Sequence, residues 1–150
     1  MRFPNVLAAV LALVVAAFAA DDEFAGTWTV NVEKSRTGSR SPVATARMTI
    51  DAIADGYRIT LSGGETLTLH LDEKDYPREP MGIAKIVGAD AVSARRVNPH
   101  TIETTFKREG KAVATVRREV SAAGHELIAT TDGVSLTGEK RHTVVVFDKR

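Results

Sequence analysis

Residues 101 to 120 read TIETTFKREGKAVATVRREV, and this stretch decides the fold. Two runs, 101–107 and 112–120, are rich in threonine, valine and isoleucine, which suit a pleated backbone. Between them Glu109-Gly110 supplies the positive φ of a tight hairpin turn. In the second run Ala112, Ala114, Val116 and Val120 share one face, and Thr115, Arg117 and Glu119 the other. That is the period-two alternation of a strand with one dry side. The exception is Arg118, a cation on the apolar face.

The same grammar extends in both directions. Ten short runs, about 27–33, 44–52, 57–62, 65–71, 83–87, 92–97, 101–107, 112–120, 126–131 and 141–148, are separated by turn chemistry. Asp55-Gly56, Gly63-Gly64, Asn98-Pro99, Ala123-Gly124 and Asp132-Gly133 mark further breaks. Ala44, Ala46, Met48 and Ile50 alternate with polar neighbours, as do Leu67, Leu69 and Leu71. Pro42, Pro77, Pro80 and Pro99 fall outside the runs, which keeps the ladder donors intact. The pattern predicts an all-β, antiparallel up-and-down meander of roughly eight to ten strands, closed into a barrel so that no edge is left exposed.

Residues 1–19 read as a signal-peptide helix. Met1-Arg2 precede an apolar run from Val6 to Phe18, and Ala17-Phe18-Ala19 places small residues at a cleavage site. The run is shorter than the roughly 20 residues of a spanning helix, so the remainder, 20–150, is expected as one exported barrel domain, periplasmic or secreted, with no integral membrane segment. Without Arg2 the 20 Lys and Arg fall to 19 and balance 19 Asp and Glu. Such a balance offers no global attraction to nucleic acid or to an anionic membrane. There is no cysteine, so an exported chain of this kind depends on core burial and backbone pairing.

Gly26-Thr27-Trp28, opening the first run, resembles the G-x-W start of the calycin superfamily, the lipocalins and fatty-acid-binding proteins. NVEKS (31–35), KDYP (74–77), VSARRVNPHTIETTFKREGK (92–111) and VVVFDK (144–149) together resemble a family of small, secreted, lipocalin-like bacterial proteins. The resemblance implies a lipocalin-like barrel with Trp28 as a structural plug at the closed end, packed against a basic residue of the last strand, for which Arg141 is the natural candidate. It also implies a cavity-lining arginine at Arg118, or at Arg117 in a shifted alignment. Two features depart from the fatty-acid-binding pattern. About ten residues separate Glu33 from Ala44, too few for a two-helix lid, and Val145 and Phe147 stand where an Arg-x-Tyr carboxylate clamp would be.

Tyr57, Ile59, Leu61, Ile102 and Phe106 supply the expected apolar lining, read equally well as ligand-binding residues or as a filled core. Arg118 beside them either meets an anionic ligand or ends in solvent. Trp28, Val30 and Val32 are expected to face inward. Asp75-Tyr76-Pro77 reads as a turn, with a rim contact through Tyr76 as the alternative. The acidic residues Asp72, Glu73 and Asp75 lack calcium-loop spacing. His70, His100, His125 and His142 are isolated, so no metal site, cofactor motif or catalytic residue is assigned. The leading reading is a non-enzymatic binding protein for a small apolar or amphipathic ligand. An interaction or inhibitor barrel working through Arg36, Arg40 and 77–82 comes second. A small isomerase or hydrolase, with His70 and Arg118 as the nominal pair, comes third.

Overall fold

The computed structural model describes residues 22–38 and 46–150. Residues 1–19, expected to be a signal peptide, and Arg40 lie outside the described residues. Ten strands form one antiparallel sheet: β1 (Gly26–Arg36), β2 (Arg47–Ile53), β3 (Gly56–Leu61), β4 (Thr66–His70), β5 (Tyr76–Pro77), β6 (Ala91–Asn98), β7 (Thr101–Arg108), β8 (Lys111–Val120), β9 (Glu126–Val134) and β10 (Lys140–Lys149). Their order is β4-β3-β2-β1-β10-β9-β8-β7-β6-β5. Sequential neighbours pair, and β1 joins β10, so the meander curls through its ends as the alternation predicts. No helix among the described residues is long and apolar enough to cross a membrane.

Closure is incomplete, which corrects the expected closed barrel. The ladder stops at β4 on one side and at β5 on the other, leaving a half-barrel with a seam. Backbone crosses the seam at one end, where Glu73 N–H donates to Ala94 O at 3.1 Å. Arg78 crosses it at the other, donating to Thr66 O at 3.0 Å and to Glu65 Oε1 at 2.9 Å. The tenth strand is the two-residue β5. Its Pro77 is tolerated because an edge strand need not donate outward.

The run at 83–87 is a helix, α1 (Gly82–Val87), and not a strand. Its buried residues are Ala84 and Val87, three apart, which is helical and not pleated spacing. A short apolar run cannot distinguish the two periods. Gly88 ends it at φ 68°, and Ala89 N–H returns to Ala84 O at 2.8 Å, a left-handed termination that suits glycine. A Cβ at Gly88 would lie 2.5 Å from Leu136 Cδ2, so the helix end is also pressed against the β9–β10 turn. That turn comes later than expected. β9 runs through Asp132-Gly133, and the positive φ of 82° falls at Gly138. Gly133 instead permits close strand approach, since a Cβ there would lie 2.9 Å from that of Ala114.

β1 carries a second departure. Its register against β10 jumps from Asn31↔Val146 to Arg36↔Val144, so a bulge absorbs NVEKS and turns Val32 out to 37% exposure. Ser35 makes the bulge affordable in hydrogen-bond terms: its Oγ accepts from Val146 N–H at 3.0 Å and donates to Asn31 O at 2.6 Å. Asn31 Oδ1 in turn accepts from Lys34 N–H at 3.1 Å.

Candidate functional site

One end of the half-barrel is plugged. Trp28 is fully buried, and its Nε1 donates to Phe24 O at 2.9 Å. The cation over its ring is Lys149, 5.3 Å from the centroid, and not Arg141. Arg141 pairs with Gly133 near the far end of β10, whereas Lys149 is the direct cross-strand partner of Trp28. The lysine stem passes 3.0 Å from where a Cβ at Gly26 would stand, which accounts for the glycine two residues before the tryptophan.

Tyr57, expected in the apolar lining, packs at this plug and does not line the half-barrel's cavity of about 100 Å³. Its hydroxyl donates to Asp22, at 2.7 Å to the nearer oxygen, and accepts from Arg96 at 2.7 Å. Phe24 packs on it with centroids 5.4 Å apart, and Arg96 lies about equally over both rings. Burial first, and then the Asp22 carboxylate, push the phenol up to about 12.

A cavity of about 100 Å³ lies higher in the half-barrel, lined by Met48, Ile59, Leu61, Glu65, Leu67, Arg78, Gly82, Ile83, Phe106 and Arg118. Ile59, Leu61, Phe106 and Arg118 of the expected set therefore converge there. Ile102 does not. It is fully buried in the core, beside Arg118 in the β7–β8 register. Leu61 is 40% exposed and stands at the mouth.

Arg118, and not Arg117, is the inward arginine. Arg117 is exposed and bonds Glu119 at 2.8 Å, while Arg118 is 8% exposed. That overturns the alternative in which its guanidinium ends in solvent. It donates to Thr104 Oγ1 at 3.0 Å, and burial pulls it down to about 10, which still leaves it cationic at neutral pH. Its Nε has no hydrogen-bond partner among the described residues, and neither has the Nε of Arg78.

Arg78 and Glu65 went unrecognised in the sequence. Arg78 sits in the 77–82 connection, where no periodicity operates, whereas Glu65 opens the 65–71 run in step with Leu67 and Leu69, and their meeting depends on the two sheet edges approaching. A turn arginine carries no mark of such a role.

The remaining candidates sit elsewhere. His70 bonds Asp55 at 2.7 Å and stacks on Tyr76, whose hydroxyl donates to Asp72. It does not meet Arg118. His100 pairs with Glu23 and His142 with Asp132, each at 2.5 Å. Arg36 is engaged by Glu33 O and Ser35 O at 2.9 and 2.8 Å. Among the described residues no acidic or histidine cluster is placed to hold a metal ion.

Ten antiparallel strands, curled into a half-barrel around a small interior space, form a fold that a known bile acid-binding protein shares. In particular, the chain is similar to the crystal structure of zebrafish ileal bile acid-binding protein complexed with cholic acid, with a TM-score of 0.53 over 85% of this chain and 99% of that one. The two are 13% identical, so the likeness is one of fold. Neither a family model nor a curated protein matches the sequence.

Proposed function

We propose that this chain is an exported, non-enzymatic binding protein that holds a small apolar or amphipathic molecule inside its half-barrel. The observation that carries the reading is Arg118, a buried guanidinium that among the described residues bonds a neutral hydroxyl alone, in the wall of a cavity otherwise lined mostly by aliphatic and aromatic carbon. A buried cation of this kind is costly unless an anionic or strongly polar group meets it. The apolar wall receives the rest of the ligand. Fold likeness to a binding protein and the leader-like residues 1–19 support the reading. Drug-sized ligands occupy sites of about 300 Å³ or more. At about 100 Å³ the cavity takes a few heavy atoms, and a larger ligand requires the β4–β5 seam to part.

That size also favours a second reading, a barrel with a nearly filled core that acts through its loops. The two separate on extraction of the purified protein and mass spectrometry of what it carries. A stoichiometric small molecule is expected, and empty protein from several preparations would support the filled core. Arg118→Leu should weaken an anionic ligand tenfold or more and leave a neutral one nearly unchanged. Replacing a buried charge by an apolar side chain is often neutral or stabilising, by about 1–4 kcal/mol. Lost binding in a folded, equally stable variant is therefore the expected signature.

A further inference from the structure

Among the described residues, the buried side-chain nitrogens left without a hydrogen-bond partner are Arg78 Nε and Arg118 Nε. Both residues line the same cavity of about 100 Å³, although they come from opposite parts of the chain: Arg118 from β8, Arg78 from the connection after β5. The Arg78 side chain is 9% exposed. Its two terminal nitrogens are occupied, by Thr66 O at 3.0 Å and Glu65 Oε1 at 2.9 Å. Its Nε–H is the buried donor without a partner among the described residues.

We propose that Arg78 and Glu65 are the charge-selecting part of this site, so that the cavity accepts the singly charged end of a small organic acid in preference to a dianion or a neutral analogue. The proposal rests on the binding reading above and deepens it. The wall holds two guanidiniums and one carboxylate, a net charge of plus one. A monoanion cancels that charge through charge-assisted contact with the guanidiniums. A neutral carbonyl could accept a hydrogen bond but would leave the charge uncompensated in a low-dielectric interior. A dianion would leave an excess negative charge beside Glu65. At about 100 Å³, well below the roughly 300 Å³ or more of drug-sized sites, the cavity suits a carboxylate with a short alkyl stub better than a bulky acid.

Glu65 is held where it can act. A Cβ at Gly82 would lie 2.9 Å from Glu65 Oε1, and Gly82 has φ 52°, so the backbone there leaves room that other residues would fill. The Glu65–Arg78 pair also spans the seam, which ties charge selection to the gap between the sheet's two edges.

The test is a titration of ¹⁵N-labelled protein followed through the arginine Nε–Hε signals, with acetate, acetamide and sulfate at equal ionic strength in chloride-free buffer. Acetate should move the Arg78 and Arg118 signals together on one saturating curve, and acetamide and sulfate should not saturate in that range. In Glu65→Gln the wall charge rises to plus two, and sulfate should gain at least tenfold relative to acetate. Should that variant fail to fold, the wild-type comparison of acetate with sulfate decides by itself.

Movement of Arg118 alone would remove Arg78 from the site. Equal saturation by acetate and sulfate would overturn charge selection, and no saturation by acetate would overturn the anion site. A neutral co-purifying ligand with no acetate response would sink this proposal and leave the carrier reading standing. Saturable acetate binding to protein that carries nothing would do the reverse.

Discussion

At the scale of single residues, the two ends of the half-barrel use buried polar groups in opposite ways. Tyr57 is fully satisfied, giving one hydrogen bond and receiving another, and so it locks the plug. Arg118 is half satisfied and so leaves the cavity with an unmet demand. The Tyr57 phenol is held up to about 12 by burial, against roughly 10 in an unfolded chain. The folded state therefore keeps this proton where the unfolded state loses it. The resulting stability is fully present below pH 10 and is lost as pH rises towards 12. Tyr57→Phe should flatten that part of the stability–pH curve in denaturant titrations and cost about 1–3 kcal/mol at neutral pH, because Asp22 and Arg96 lose a partner. An unchanged slope between pH 10 and 12 would show that Tyr57 does not carry the linkage.

At the scale of elements, the helix α1 shows how a local sequence ambiguity is resolved by what it packs against. IAKIV can alternate as a strand or turn as a helix, and Gly88 decides by ending it in the left-handed region under Leu136. Gly88→Ala should cost more than the roughly 1–2 kcal/mol of left-handed strain, because its methyl also meets Leu136. Adding Leu136→Ala should recover the contact part and leave the strain. A double-mutant cycle with no coupling would mean that the turn yields freely. The β1 bulge follows similar logic: Asn31 and Ser35 repair a ladder that NVEKS interrupts.

At the scale of the whole molecule, the seam is where the sheet is weakest. β4 and β5 each have one strand neighbour, and across the gap the described residues place the Arg78–Glu65 pair, the His70–Tyr76 stack and the Glu73–Ala94 backbone bond. β8 and β9 lie between long partners on both sides. Native-state hydrogen exchange should therefore find the amides of β8 and β9 opening only with global unfolding, and those of β4 and β5 opening at lower free energy. If β4 proved as protected as β8, the sheet would be closed in solution and no ligand path would run through the seam.

What the sequence determined by itself was the class of fold and the direction of side chains. Period-two alternation with short turns is a local property, and it was enough to place nine of the ten strands near their positions and to put Arg118 on the inner face. Local pattern also placed the Glu109-Gly110 turn, because backbone conformation there depends on the residues themselves; Gly26 and Trp28 stood out through the resemblance to a G-x-W start. Everything that depended on two distant segments meeting was left to tertiary structure. The tryptophan's cation is Lys149 because strand register, not charge type, selects the partner. Tyr57 serves the plug because Asp22 and Arg96 converge on its hydroxyl. Arg78 and Glu65 join Arg118 because the two unpaired edges of the sheet come together at one cavity. Alternation tells each side chain which face to take, and only the curl of the whole sheet decides which side chains share a space.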